Sequence, residues 1–289
     1  MMKKLRFTIL FLLAVMLSDS VCAGNPFPST GLRVNLAQGK PFSSTELKTS
    51  QAQSKSLQGK TILFVYGGWG GHDPVGCRDL LVPWMQSEGA QVIVSDSLGV
   101  YKDQALMDRV DVIVQTWTMG TITAEEERGL LRAVKGGAGI AGWHGGTGDA
   151  FRNNTEYQFM IGGQWVAHPG NQIDYVVNIT DHTDPVTKGL DDFPMRSEQY
   201  YMHVDPNVKV LATTRFAGKA AEWIEGCIVP VVWKKHYGKG RVFYSSLAHT
   251  AADMQGEALT IMQRGICWAA MSRGGERENL VTPIYGSGK

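Results

Sequence analysis

Four stretches in the first half of the chain are apolar almost without interruption: Thr61-Ile62-Leu63-Phe64-Val65-Tyr66, Gln91-Val92-Ile93-Val94, Asp111-Val112-Ile113-Val114-Gln115 and Gly139-Ile140-Ala141-Gly142. Unbroken apolar runs of this length mark strands covered on both faces. Helical patterns lie between them. Residues 78–87 are apolar on one helical face, with Pro83 near the middle. Thr123 and Glu126 are spaced as a capping box that opens a helix, and Gly136-Gly137 closes it. This alternation predicts a mostly parallel sheet with helices on both faces. Past about residue 170 the pattern changes. Residues 175–179, 200–204, 208–213, 229–233 and 242–245 are short strands joined by turn residues, some of them antiparallel additions to the sheet. A last helix over residues 256–271 carries Leu259, Met262, Ile266 and Ala270 at helical spacing. The chain shows no internal repeat.

The fourth run breaks into Gly142-Trp143-His144-Gly145-Gly146, a G-x-H-x-G sequence. A strand that turns through this spacing into a helix is a nucleophile elbow, which projects one side chain over the edge of a parallel sheet. Histidine stands where serine or cysteine is usual, and the elbow predicts that its imidazole is exposed. Ligands of such sheets bind at the carboxyl ends of the strands. Three segments fall there: the loop Gly67-Gly68-Trp69-Gly70-Gly71-His72, the strand end Thr116-Trp117-Thr118, and the His144 elbow.

Composition narrows the rest. The chain has 289 residues, 43% hydrophobic and 19% charged, with a net charge of +1. That balance offers no electrostatic case for nucleic acid or an anionic membrane surface. Lys3, Lys4 and Arg6 precede a short apolar core and Val21-Cys22-Ala23, the layout of a secretory signal peptide cut after Ala23. A periplasmic or secreted protein without membrane insertion after signal removal is therefore expected. Cys77, Cys227 and Cys267 remain, an odd number that reads as small buried hydrophobes rather than a disulfide framework. The expected organisation is a signal peptide (1–23), a linker or surface arm (24–58), one α/β domain (59–273) and a loose tail (274–289).

Among the polar residues, His144 leads as acid, base or metal ligand. His249 follows the strand at 242–245. Glu198 precedes Tyr200 and His203 in an apolar strand context, where a carboxylate can orient a histidine or bind sugar hydroxyls. His72 lines the mouth from the glycine loop, and His168 lies in Ala167-His168-Pro169-Gly170. His182 and His236 read as plain surface. Trp69, Trp117, Trp143 and Trp165 all fall near loop ends, where indoles stack on sugar rings as readily as they pack a core. The histidines with Glu198 can hold a divalent metal such as zinc, although no local ligand spacing of the HExxH kind is present. The glycine loop lacks the Lys-Ser/Thr of a phosphate-binding loop.

The order and spacing of several motifs resemble the ThuA-like (trehalose-utilisation) family of the class I glutamine amidotransferase-like, flavodoxin-like fold. They are the first strand with its Gly/His loop, the Gly142–Gly146 elbow, Gly162-Gly163-Gln164-Trp165 with His168, and Asp184-Pro185-Val186-Thr187-Lys188-Gly189-Leu190. Glu198-Gln199-Tyr200, Pro230-Val231-Val232-Trp233, and Gly238-Lys239-Gly240-Arg241-Val242-Phe243-Tyr244 with His249 complete the set. The resemblance covers roughly residues 58–273 and implies a small carbohydrate ligand, particularly a disaccharide or 3-keto-glycoside. Amidotransferases of the superfamily carry cysteine at the elbow and a His-Pro-Glu segment after a late strand. Here His144 replaces the cysteine and Thr250-Ala251 follow His249, so no nucleophile for glutamine is expected. Two functions remain open: acid–base chemistry on a sugar, with or without metal, centred on His144 with His249 and Glu198; or a non-catalytic carbohydrate-binding protein. A homo-oligomer is also left open.

Overall fold

The computed structural model describes residues 55–280. The expected signal peptide, nearly all of the expected arm and the last nine residues lie outside the described residues. Five strands form the parallel core: β1 (Thr61–Gly68), β2 (Gln91–Ser95), β3 (Val112–Thr118), β4 (Gly139–Trp143) and β11 (Gly240–Ser245). Their spatial order is β2-β1-β3-β4-β11, all parallel neighbours. That is the doubly wound flavodoxin-like order. The sheet continues through antiparallel β10 (Ile228–Tyr237), β9 (Lys209–Arg215), β6 (Gln172–Ile179) and β7 (Phe193–Glu198), nine strands in all. Two further strands, β5 (Gly163–Ala167) and β8 (Tyr201–Val204), pair as a separate antiparallel ribbon.

Three of the four unbroken apolar runs have the consequence expected of them, because alternate residues feed opposite layers; β2 does not, since it lies at the sheet edge with Val94 exposed. Ile62 and Phe64 of β1, Val114 of β3 and Ala141 of β4 join one core with α1 (Pro74–Ser87) and α6 (Gly256–Ala270). Leu63 and Val65, Ile113 and Ile140 join the other with α2 (Gln104–Arg109), α3 (Ala124–Gly136) and α5 (Thr155–Ile161). Each fully buried aliphatic or aromatic side chain contributes about 1.5–3 kcal/mol of burial free energy, so both layers are needed to hold the sheet. Thr123 and Glu126 do form the capping box of α3. α1 runs through Pro83, which lies on its exposed face. Among the described residues no helix is long and apolar enough to cross a membrane.

Four elements have no counterpart in the sequence expectations. β7 contains Pro194 and lies at the sheet edge, where a missing N–H costs least. β5, α2 and α5 are too short to show a period. The segment 274–280, expected as a loose tail, is docked. Glu278 accepts from Trp268 Nε1 at 2.9 Å and pairs with Arg241 at 3.0 Å, and Leu280 is buried in the core.

Candidate functional site

The site is assembled where β1, β3, β4 and β11 end. His72 closes a 3-10 turn (Gly70–His72) after β1, Thr118 ends β3, and His144 opens the short helix α4 (His144–Gly148) directly after β4. His249 lies four residues past β11, and Glu198 ends β7. The elbow is real: His144 has φ 44°, the left-handed region that a sharp strand-to-helix turn requires. Gly145 follows from the same geometry, since a Cβ there would overlap the His72 ring. Backbone strain gathers here. Asp73 beside His72, Met119 beside Thr118 and Ala248 beside His249 also have positive φ. Such residues cost about 1–3 kcal/mol each and persist where surrounding structure holds them.

The side chains converge on one carboxylate oxygen. Glu198 Oε2 lies 3.1 Å from His144 Nε2, 3.1 Å from His249 Nδ1 and 3.9 Å from His72 Nε2. His144 Nε2 and His249 Nδ1 are 3.4 Å apart. The far side of two rings is anchored. His144 Nδ1 is 2.8 Å from the Ser246 carbonyl, which can only accept, so Nδ1 carries the proton and a neutral ring presents its Nε2 lone pair inward. His72 Nδ1 lies 2.8 Å from Thr118 Oγ1, which leaves Nε2 facing the carboxylate. Tyr200 packs its ring on His144 at 3.9 Å between centroids.

Protonation follows burial and pairing. Burial drives His72 down to about 3 and lowers His144 as well, in spite of the Glu198 carboxylate beside it. Both are therefore neutral imidazoles at neutral pH. His249 moves up, because Glu198 favours its charged form more than partial burial opposes it. Burial opposes ionisation of Glu198, but the adjoining His144 and His249 outweigh it and hold the carboxyl well below the usual range.

Neutral imidazoles that aim lone pairs at an ionised carboxylate repel one another unless something positive lies between them. The four donor atoms of His72, His144, Glu198 and His249 fall within 4.8 Å of one another. A tetrahedral ion with bonds of about 2.0–2.1 Å has ligand–ligand edges of about 3.4 Å, close to the shorter separations here. Ring nitrogens anchored on a carbonyl and a hydroxyl are also the outer-shell pattern of metal-bound histidines. The cluster can therefore hold a divalent ion.

Other expected site residues are distributed unevenly. Trp69 is half exposed and meets His72 edge-on at 4.8 Å. His168 Nδ1 lies 3.8 Å from Glu198 Oε1, is buried, and has no hydrogen-bond partner. Trp165 packs beside both His168 and Tyr200, with Arg152 stacked on it at 4.5 Å. Trp117 fills the space beside Gly67 and Gly120. Two candidates leave the set. Trp143 is a core residue, 6.5 Å from Phe64 between ring centroids, because its strand neighbour His144 takes the turn while Trp143 remains in the sheet layer. His203 is exposed on β8, on the Tyr201 side and away from the cluster. The elbow imidazole is also not exposed: His144 is 1% accessible, roofed by Tyr200, His72 and His249. Thr118 and the Ser246 carbonyl acquire their roles only in three dimensions, although Thr118 sits at a strand end that sequence singles out. The pair Arg152–Asp149 had no sequence signal at all.

Fold and site together define a flavodoxin-like α/β protein of the class I amidotransferase type, with histidine at the elbow and a buried His/Glu cluster above the strand ends. The chain belongs to the ThuA family, described as trehalose utilisation, whose profile matches residues 61–269. Among solved structures it is similar to a ThuA-like protein from Bacteroides uniformis, with 15% identity, TM-score 0.62, and coverage of 78% of this chain and 95% of that one. A ThuA-like protein from Parabacteroides merdae has 20% identity and TM-score 0.61 over the same shares. A cytoplasmic protein of Salmonella typhimurium has 13% identity and TM-score 0.54, covering 74% of this chain and 98% of its own. These likenesses concern the fold. No curated protein matches the chain.

Proposed function

We propose that this chain is an exported sugar-processing enzyme whose His72, His144, Glu198 and His249 hold a divalent ion and which acts on a disaccharide or 3-keto-glycoside. The observation that carries it is the inward convergence of the four donors, with the outer nitrogens of His144 and His72 anchored. The family description, trehalose utilisation, supports a carbohydrate substrate, and the signal-like residues 1–23 support export.

A bound divalent ion would supply Lewis acidity toward a substrate carbonyl or hydroxyl oxygen. The chain's own residues do the rest. The Ser246 carbonyl and Thr118 orient His144 and His72. His168, partly exposed next to the cluster, would take a proton from the substrate carbon beside a ketone. Trp69 offers an open indole face to a sugar ring. Direct glycoside hydrolysis fits less well. It ordinarily uses two carboxylates roughly 5–9 Å apart, whereas the cluster contains one, and neighbouring Asp149 is held by Arg152. Glutamine hydrolysis is disfavoured too, because the elbow carries no thiol.

The test is turnover of trehalose and of its 3-keto form by the purified mature protein, with and without a chelator. Turnover of the keto sugar that is lost on chelation and restored by zinc is expected. Equal turnover after exhaustive chelation would remove the metal from the mechanism. Saturable sugar binding without turnover, in metal-loaded protein, would replace the enzyme with a binding protein.

A further inference from the structure

The opposite end of the sheet holds a second unusual histidine. His236 lies near the end of β10 and was expected at the surface, yet both its ring nitrogens are buried and neither has a hydrogen-bond partner. The backbone of Gly240 lies near the ring without forming a hydrogen bond of normal geometry. Leaving a buried polar group unpaired costs about 1–3 kcal/mol. His236 lines two cavities, one of about 460 Å³ and one of about 330 Å³. The larger lies at the amino ends of β4 and β11, a strand length of roughly 17–20 Å from the His144 cluster.

The walls of the larger cavity are basic. Lys239, Arg241, Arg273 and Arg277 line it, against a single carboxylate, Glu276. Two of these cations are already occupied. Arg241 pairs with Glu278 and the Trp268 carbonyl, and Arg273 donates to the carbonyls of Val110 and Met107 behind α2. Among the described residues Lys239 and Arg277 have neither an ion pair nor a side-chain hydrogen bond. Glycines make up much of the remaining wall and open it further: a Cβ at Gly136 or Gly274 would meet nothing within 4 Å. Burial holds His236 below its ordinary pKa, and the charges of Arg277 and Arg241 press it the same way. The pocket thus combines positive potential, free donors, an unsatisfied imidazole and empty volume.

We propose that this cavity binds a phosphate-class oxyanion, with Lys239 and Arg277 as its cationic clamp beside the His236 ring. Such a group accepts several charge-assisted hydrogen bonds at once and matches this donor set, whereas a neutral sugar would leave the charges unpaired. The rival explanation is that the cations merely complement the carboxyl ends of α3 and α6, which also terminate here. Arg241 does act in that way on the Trp268 carbonyl of α6, and Arg273 does so at the end of α2, but the side chains of Lys239 and Arg277 touch no helix carbonyl.

Inorganic phosphate titrated into the full mature protein, followed by calorimetry and by the His236 imidazole resonances, tests the site. Saturable binding that shifts those resonances is expected, weakened at least about tenfold in the Lys239→Glu/Arg277→Glu double variant. A second arm uses phosphatidylglycerol and phosphatidylcholine vesicles. Sedimentation with the anionic vesicles, blocked by phosphate, assigns the oxyanion to a lipid headgroup; phosphate binding without sedimentation assigns it to a soluble phosphate. No saturable binding up to about 10 mM, or equal affinity in the double variant, overturns the site. So does binding that survives in the double variant and disappears in His144→Ala, because the phosphate would then sit at the His/Glu cluster.

Discussion

Two buried clusters of ionisable residues lie in the same domain and differ in one respect. In the antiparallel half, Lys234 is fully buried with Nζ 2.7 Å from Asp184 Oδ2. Lys209 reaches the same oxygen at 2.9 Å, and Asp184 Oδ1 accepts from the Val186 amide at 3.0 Å. Lys234 also lies 4.4 Å over the Trp268 ring. Every acceptor there meets a donor. Above the parallel strands, His72, His144 and His249 instead aim nitrogens at the carboxylate oxygen of Glu198, and two of the three rings are held neutral by burial. The first cluster is closed on itself and stabilises the fold. The second, on the proposed reading, is completed by a divalent ion. Burial and charge are common to both; what separates a site from a brace is whether donors and acceptors balance.

The largest expected effect of breaking that contrast is on chemistry. His144→Ala removes a proposed ligand of the ion and should lower turnover by at least about two orders of magnitude. Because the ring is buried under Tyr200, the same change should also lower the melting temperature. His144→Gln, which keeps volume and a hydrogen-bonding terminus, separates the two effects: it should melt nearer the wild type and remain inactive. Wild-type turnover in either variant would make His144 a packing residue.

Next in size is the closed cluster. Asp184→Asn removes the countercharge of a buried lysine and should cost about 3–5 kcal/mol of stability, read from denaturant unfolding. Metal content of the folded fraction should not change. Loss of metal in that variant would mean that the two clusters are not independent.

How much of this contrast could be read from sequence depended on range. The runs in β1 to β4 are local signals, as is the spacing of the elbow, so the parallel core and the place of His144 were legible. Glu198 stood out as a carboxylate in an apolar context, and His249 as a strand-end histidine. His72 was legible only as a mouth residue, because its partner Thr118 lies 46 residues away and Glu198 much farther. Trp143 misled because four loop-end tryptophans look alike in sequence, while the sheet layer decides which one faces the core. The exposure expected of His144 failed for a similar reason: an elbow determines where a side chain leaves the backbone, not what packs over it. Asp184 was visible only as part of a motif, and Lys234 not at all.

The pH dependence of the metal-free fold follows from the two kinds of histidine. His72 has a folded pKa of about 3 against 6.5 in the unfolded chain. Below 6.5 the unfolded chain takes up a proton that the folded one refuses, so stability falls as pH drops from 6.5 toward 3. His249 runs the other way. Its folded pKa is raised, so its contribution is complete below 6.5 and is lost as pH rises through the folded value. Melting of chelated protein should therefore show a decline on the acid side that is smaller in His72→Asn. It should also show a decline on the neutral-to-alkaline side that is smaller in His249→Asn. An unchanged acid limb in His72→Asn would contradict its neutral, buried state.

A smaller effect is expected at the mouth. Trp69 is half exposed, so Trp69→Ala should change stability by no more than about 0.5–1 kcal/mol. Its loss should raise KM for the sugar severalfold with little change in kcat, since a stacking face binds ground and transition states alike. A fall in kcat at unchanged KM would move Trp69 from binding into the chemistry.

The most direct measurement is the metal content of the purified mature protein by plasma mass spectrometry, set against Glu198→Ala and the Asp184→Asn variant. Close to one equivalent of a divalent transition metal is expected in the wild type and in folded Asp184→Asn, and almost none in Glu198→Ala. Wild-type protein that takes up no metal from a zinc-supplemented buffer, or Glu198→Ala that keeps its full equivalent, would show that the four converging side chains are not a metal centre.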